Sequence, residues 1–421
     1  MKILFIIPGS GDSFYCGNCF RDNLQAAALR KAGHDVCIMP LYLPLKHESF
    51  QGDTPLFFPA TTYYVAQKFF KRRRMPVWLE RFTASSPMLK IASSMSGTTS
   101  AEGLEDMTLS MITGDNPAFK EQVKRLLDWI VNQEQPDVIH LSSTLLLGVA
   151  KEIKGRLQIP IVCSVQDEEV WIDSLNNRDA SNAWQGIKDN VQHINRFVTS
   201  SIFYKNIVRE RIPEIKDADV VYPGINREAY ASDTYPVHPT IGFFYRMAKE
   251  NGLDILADAF VKLKKKGTIN HLKLKIGGGF TAKDRPFLKQ IRKTLSPYMG
   301  DVDISDSYSL DDHAAFYKSI TVLSVPITFD EGVGLYLCEA FAAGRPAVEP
   351  DTGSFREIVG DAGLIYKKNN SDMLADALER LLADENLLQQ CRENASLLSR
   401  KRYNDSVLSQ ELINIYHNVI L

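Results

Sequence analysis

Residues 320–350, ITVLSVPITFDEGVGLYLCEAFAAGRPAVEP, constrain this chain more than any other stretch. The apolar run ITVLSVPI reads as a buried strand, and Leu335 to Ala343 reads as a helix. Between them lies an acidic loop with a Gly-x-Gly. Such a loop aims free backbone N–H groups and the positive end of the helix dipole at one point, which suits an anion. Glu331 stands before the helix and Glu339 inside it, flanked by Leu335, Cys338, Phe341 and Ala342. A carboxylate buried on that face costs several kcal/mol without partners, so hydroxyl donors are expected against it. The competing reading is a surface loop followed by a helix-stabilising glutamate.

The same strand–loop–helix rhythm runs through both halves of the chain. Strand Ile3–Pro8 leads into the loop GSGDSFYCGN, a helix from about Cys19 to Ala32 ends at Gly33, and strand DVCIMPL follows. The G-x-G-x-x-G spacing of a dinucleotide fingerprint is absent. A helix over about 117–135, strand PDVIHL, a helix from Thr144, strand IPIVCSV, a helical stretch over 181–195 and strand RFVTSS come next. Residues 50–125 show only short helical patterns. After the Pro223-Gly224 turn the rhythm restarts with TIGFFYR, NGLDILADAFVKLKKK and HLKLKIGG. The last helix, about 406–420, is amphipathic through Val407, Leu408, Leu412, Ile415 and Tyr416. A chain of 421 residues exceeds one ordinary domain and fits two. The expected class is α/β: two Rossmann-like doubly wound domains facing one cleft, 1–225 and 226–402.

The Glu331–Glu339 region, the trailing Ala-x-x-x-Gly-x-Pro-Ala-Val and Gly353–Glu357 resemble the retaining nucleotide-sugar glycosyltransferases of family four. The resemblance implies a GT-B fold with the final helix, about 403–421, crossing back onto the first domain. It implies a nucleoside diphosphate sugar as substrate, a glycan, lipid or small-molecule acceptor, and no cofactor or metal. It places Glu331 against the donor sugar, Glu339 on the ribose hydroxyls, and the amides of Gly332, Val333, Gly334, Leu335 and Tyr336 around the distal phosphate. Eight residues at ~1.5 Å rise span about 12 Å, the reach from sugar to ribose across a diphosphate.

Four loops lie where ligands of such sheets sit, beyond the carboxyl ends of the strands. Gly17 matches the second glycine of the family's first loop; Cys16 replaces the other. Gln166 and Asp167 match positions that touch the donor sugar, although the run Asp167-Glu168-Glu169 reads equally as a solvated loop. Arg246 corresponds to the arginine that grips the diphosphate, a task its fixed charge and planar fork suit. The family lysine five residues later is Asn251 here, with Lys249 as the available substitute. In Gly277–Gly279, Gly278 lets a base approach the backbone, but the family's next landmark is replaced by ISDSYS.

Other features read more plainly. Net charge is −2, which gives no general pull toward nucleic acid. The opening MKILFIIPGSG reads as a strand rather than a leader, and the scattered cysteines as reduced thiols of a cytoplasmic protein. Asp301 and Asp303 read as an exposed strand edge, and His140 as a satisfied structural histidine. In KFFKRRRMPVWLERF, Lys71, Arg72, Arg73 and Arg74 stand beside aromatics, so peripheral contact with anionic lipid is weighed against a solvated helix end. Two rival functions stay open. One is a degenerate member that binds nucleotide or glycan without turnover; the other is a different GT-B activity, such as an epimerase or phosphorylase.

Overall fold

The computed structural model describes residues 1–8, 17–41, 105–232, 234–306, 309, 312–367 and 370–421. Cys16 and the Lys71–Arg74 patch lie outside them. Two six-stranded sheets form the frame, and every pairing between described strands is parallel. In the first sheet β1 (Lys2–Ile7), β2 (Asp35–Pro40), β3 (Val138–Leu141), β4 (Ile161–Val165), β5 (Arg196–Thr199) and β6 (Ala218–Val220) run in the order β2-β1-β3-β4-β5-β6. In the second, β7 (Thr240–Phe244), β8 (Lys273–Gly277), β9 (Val302–Ile304), β10 (Val322–Leu323), β11 (Ala347–Pro350) and β12 (Gly363–Tyr366) run β12-β11-β10-β7-β8-β9.

Unbroken apolar runs make these strands because helices cover both sheet faces. β1 shows it by alternation. Leu4 and Ile6 join the core formed with Leu126, Leu147 and Ile187, while Ile3, Phe5 and Ile7 face the other way. That second face is closed by Leu408, Leu412, Ile415 and Tyr416 of the last helix, Asp405–Ile420. The chain therefore crosses between the halves twice. The crossings touch where the Ile225 amide donates to the Tyr403 carbonyl at 3.1 Å and the Asp405 amide to that of Ile225 at 3.3 Å. His140 is satisfied on both ring nitrogens, by Tyr416 Oη at 2.6 Å and Ser164 Oγ at 2.8 Å. Burial, with the Arg21 charge behind it, pushes its pKa down to about 3, so the ring is neutral.

Some elements differ from the sequence reading. Of ITVLSVPI only Val322–Leu323 pairs as strand, because the Val325 amide donates to the Glu349 side chain at 3.1 Å instead of to a strand carbonyl. The helix expected over 181–195 starts at Asn177, where Asn176 caps it by accepting from the Asp179 amide at 3.1 Å. The helix expected to run from 117 to about 135 ends its regular part at Trp129 and widens over Ile130–Glu134. Asp167-Glu168-Glu169 is not a solvated loop: Glu168–Ile172 is a short helix, and Glu168 is buried. The Ile202–Arg211 helix was not expected at all. Asp303 lies exposed on the edge strand β9, as expected, with Asp301 just before it; Lys264 stands 2.8 Å from Asp301 and Lys275 3.7 Å from Asp303. Among the described residues no helix is long and apolar enough to cross a membrane.

Candidate active site

The site is assembled from loops at the carboxyl ends of β4, β7, β8 and β10. After β4, Asp167 adopts φ 54°, a left-handed conformation that Asp tolerates better than most residues. Glu168 fixes this turn. Its carboxylate accepts from Ser143 Oγ at 2.9 Å, the Thr144 amide at 2.8 Å and the Gln166 amide at 2.6 Å. The Gln166 side chain is spent on Asp22, at 2.9 Å.

From the other half, Glu331 is buried and its carboxylate accepts from the Val333 and Gly334 amides at the start of the Leu335–Ala342 helix. Asp167 crowds this loop so closely that a Cβ on Gly332 would strike its carboxyl oxygen. Ser201 Oγ donates to the Gly332 carbonyl at 2.5 Å from the same side. Gly353 explains its place in the motif: a Cβ there would lie 2.5 Å from the Glu331 amide nitrogen and carbonyl oxygen.

Burial, and then the Asp167 charge, push Glu331 up to about pKa 7; the two amides and Arg21 pull the other way. Burial also raises Asp167, again against Arg21. Glu169 rises to about 7 through burial and Asp167, and its carboxylate accepts from Tyr204 Oη at 2.6 Å. Asp167, Glu169 and Glu331 thus crowd where burial and mutual repulsion disfavour their ionised forms.

The β7 loop carries Arg246, whose guanidinium donates to Asp284 at 3.3 and 3.1 Å and lies 3.5 Å from Glu250. This loop is tied to the acidic loop. The Thr328 amide donates to the Glu250 carbonyl at 2.9 Å, and Tyr245 stands edge-on to Tyr336 at 5.1 Å. The loop with the arginine and the loop with the buried acid and the helix N-terminus thus stand at the same edge of the second sheet.

Residues 238–384 match the family described as glycosyl transferases group 1. An uncharacterized glycosyltransferase of Methanocaldococcus jannaschii is 26% identical over 65% of this chain and 73% of its own length. The alpha-D-kanosaminyltransferase of Streptomyces kanamyceticus is also 26% identical, over 49% of this chain and 52% of its own. Residues 238–384 thus form a segment of the glycosyl transferases group 1 type. The fold of the chain agrees with that of Anabaena HepE, solved with UDP and glucose, at a TM-score of 0.70 and 13% identity over 99% of this chain and 100% of that one. It agrees equally with sucrose-phosphate synthase from Thermosynechococcus elongatus, at 0.69 and 16% over 99% of each. The architecture is GT-B.

The other sequence-expected residues are placed less uniformly. Gly17 opens the first helix, Gly17–Lys31. Lys249 is exposed, while Asn251 is buried and its Nδ2 donates to the Arg246 carbonyl at 2.7 Å. Gly278 has φ 111°, and a Cβ there would strike the Tyr245 carbonyl, so the space is taken by backbone of the β7 loop. Leu335 and Tyr336 are buried. Glu339 has the hydroxyl donors expected for it, but they are the protein's own: Tyr230 Oη at 2.7 Å and Tyr317 Oη at 3.0 Å, with His313 Nδ1 at 2.6 Å.

Two acid-site neighbours escaped sequence reasoning. Arg21, buried on the first helix, is the positive charge that opposes the rise of Glu331, Asp167 and Asp22. The signal was present as an adjacent Arg-Asp pair four residues after Gly17. Glu349, wholly buried behind the acidic loop, had no such signal.

Proposed function

We propose that this enzyme moves a hexosyl group from a nucleoside diphosphate sugar to an acceptor hydroxyl, with retention at the anomeric carbon and without a divalent cation. One observation carries the reading. The acidic Glu331 lies over the Val333 and Gly334 amides of a helix N-terminus, with Asp167 of the other half against Gly332. Those amides and Arg246 suit a diphosphate. Residues 226–402 would hold the donor, and 1–225 with 403–421 the acceptor.

In this reading Arg246 exchanges Asp284 for the distal phosphate, and Glu331 leaves the amides to meet the sugar. The acceptor oxygen bonds to the anomeric carbon from the face the diphosphate leaves. The bond from that carbon to the phosphate oxygen breaks, and the acceptor proton passes to the departing phosphate. Catalysis then rests on stabilising the leaving diphosphate and on positioning. The acceptor is a glycan, a lipid or a small molecule, and Lys71, Arg72, Arg73 and Arg74 would seat the protein on anionic lipid at the cytoplasmic face.

A second reading, nucleotide binding without transfer, is favoured by Asn251, whose neutral, buried side chain stands where the family's lysine would neutralise the leaving diphosphate. Thermal-shift screening of UDP-, GDP- and ADP-sugars, then transfer assays with and without EDTA, decides between them. Anomeric configuration of the product is read by NMR. Stabilisation by a nucleotide sugar with no transfer to any acceptor overturns the first reading.

A further inference from the structure

The Ile202–Arg211 helix belongs to the first sheet's half, yet its first turn is held by the other half. The Ile202 and Phe203 amides, donors that a helix leaves unpaired at its start, donate to Glu357 Oε1 and Oε2 at 2.8 and 2.9 Å. Glu357 lies on the Phe355–Val359 helix, beside β11 and β12 of the second sheet. Tyr222 Oη donates to the same Oε1 at 2.5 Å, and the Arg402 guanidinium stands 4.7 Å from the centre of the Tyr222 ring. Tyr222 is on the first crossing between the halves and Arg402 on the second, just before the Ile225–Asn404 bridge. One carboxylate therefore joins a helix end of one half to both crossings.

The same helix turn reaches the acid site. Its cap residue Ser201 donates to the Gly332 carbonyl, and the Tyr204 ring lies 3.3 Å from where a Cβ on Gly332 would stand. Tyr204 Oη also reaches Glu169.

We propose that Glu357 is a positioning residue for transfer: it pins the Ile202 helix end to the second half and so holds Asp167 and Glu331 face to face across Gly332. The proposal rests on the glycosyl-transfer reading above. A carboxylate gripped by two backbone amides and a phenol at a helix N-terminus is favoured by charge-assisted bonding and by the dipole. Without it those three donors lose their acceptor and the joint loosens. Glu331 is faced by Asp167, Arg21, Glu349 and Tyr336. Separation from Asp167 and entry of water remove the two influences that raise its carboxyl.

The test uses the full chain as wild type, Glu357→Ala and Glu357→Gln, with kcat and donor KM measured across pH. Amide hydrogen exchange is followed at Ile202 and Phe203. In Glu357→Ala we expect kcat to fall by about tenfold or more with donor KM changed less than about threefold. The rising limb of the kcat/KM profile moves acid by about half a pH unit or more, and the two amides exchange about tenfold faster. Glu357→Gln, which keeps one carbonyl acceptor, falls between. An unmoved limb, or a loss of activity matched by the unfolded fraction, overturns the positioning role. If the wild type transfers no sugar, the function reading falls first; unchanged exchange at Ile202 and Phe203 would then overturn the joint itself.

Discussion

Asn251 Nδ2 donates to the Arg246 carbonyl at 2.7 Å, so the residue that replaces the family's lysine braces the loop that carries the arginine. Asn251 is only 3% exposed. Putting a lysine there removes a buried hydrogen bond and forces an ammonium into the same space. We expect Asn251→Lys to lose about 1–3 kcal/mol of stability without tightening nucleotide binding. Urea unfolding and UDP titration check this; tighter binding at unchanged stability would mean that the lysine reaches the phosphates and that the brace is dispensable.

Glu331→Gln should abolish transfer while nucleotide diphosphate binding stays within about threefold. The wild-type rate should carry a matching pH signature. Burial and Asp167 hold the Glu331 carboxyl near 7, so its anion forms only as pH rises through that value. If the anion acts on the sugar, kcat/KM climbs through about pH 7 and flattens above it. A flat profile from about pH 5 to about pH 9 removes the ionised carboxylate from the mechanism.

Glu339 sits at the centre of a buried knot that joins the Arg227–Tyr230 helix, the His313–Lys318 helix and the acidic-loop helix. Truncation removes the shared acceptor of Tyr230, Tyr317 and His313 at once. Each buried hydrogen bond to a charged group contributes about 1.5–3 kcal/mol, so Glu339→Ala, which removes three of them, should lower stability by about 3 kcal/mol or more. Tyr317→Phe, which removes one donor, should cost about 1.5 kcal/mol. Equal, small losses in both by denaturant unfolding would show that the knot carries little, and would return Glu339 to a role in ligand binding alone.

Glu349 is wholly buried, and burial, followed in part by Glu331, raises its carboxyl well above the ordinary range against the pull of the Val325 amide. The folded state thus keeps a proton that the unfolded chain gives up. This stability is fully present below the unfolded pKa and is lost as pH rises through the folded one. Glu349→Gln is neutral at every pH and still offers Val325 a carbonyl. Its melting temperature should match wild type at about pH 4 and exceed it at about pH 9. A difference that does not grow with pH would show that Glu349 is ionised in the fold.

Much of the fold was legible because its signals are local. The β1 run, the Gly33 stop and the amphipathic last helix each follow from a few adjacent residues, and the acidic loop announced its helix through Gly334 and Leu335. The helices that failed to show, Glu168–Ile172 and Ile202–Arg211, are short; one begins in a run of carboxylates and the other continues an apolar strand. Ser201 caps the second locally by accepting from the Tyr204 amide, but the Glu168 amide is held by Tyr204 Oη and the Ile202 and Phe203 amides by Glu357, which sequence proximity does not connect.

The candidate site divides the same way. The sequence by itself determined which side chains stand at strand ends: Asp167 after β4, Arg246 after β7 and Glu331 before its helix. Residue type and spacing suffice for that, since a parallel strand delivers its C-terminal loop to one edge. Only the tertiary structure decided their states. Whether Glu331 is charged depends on Asp167, which is 164 residues away; whether Arg246 is braced depends on Asn251; and whether Glu339 has room for a ligand depends on Tyr230, His313 and Tyr317. Burial and through-space charge set those outcomes, and both are properties of the packed molecule rather than of any segment of it.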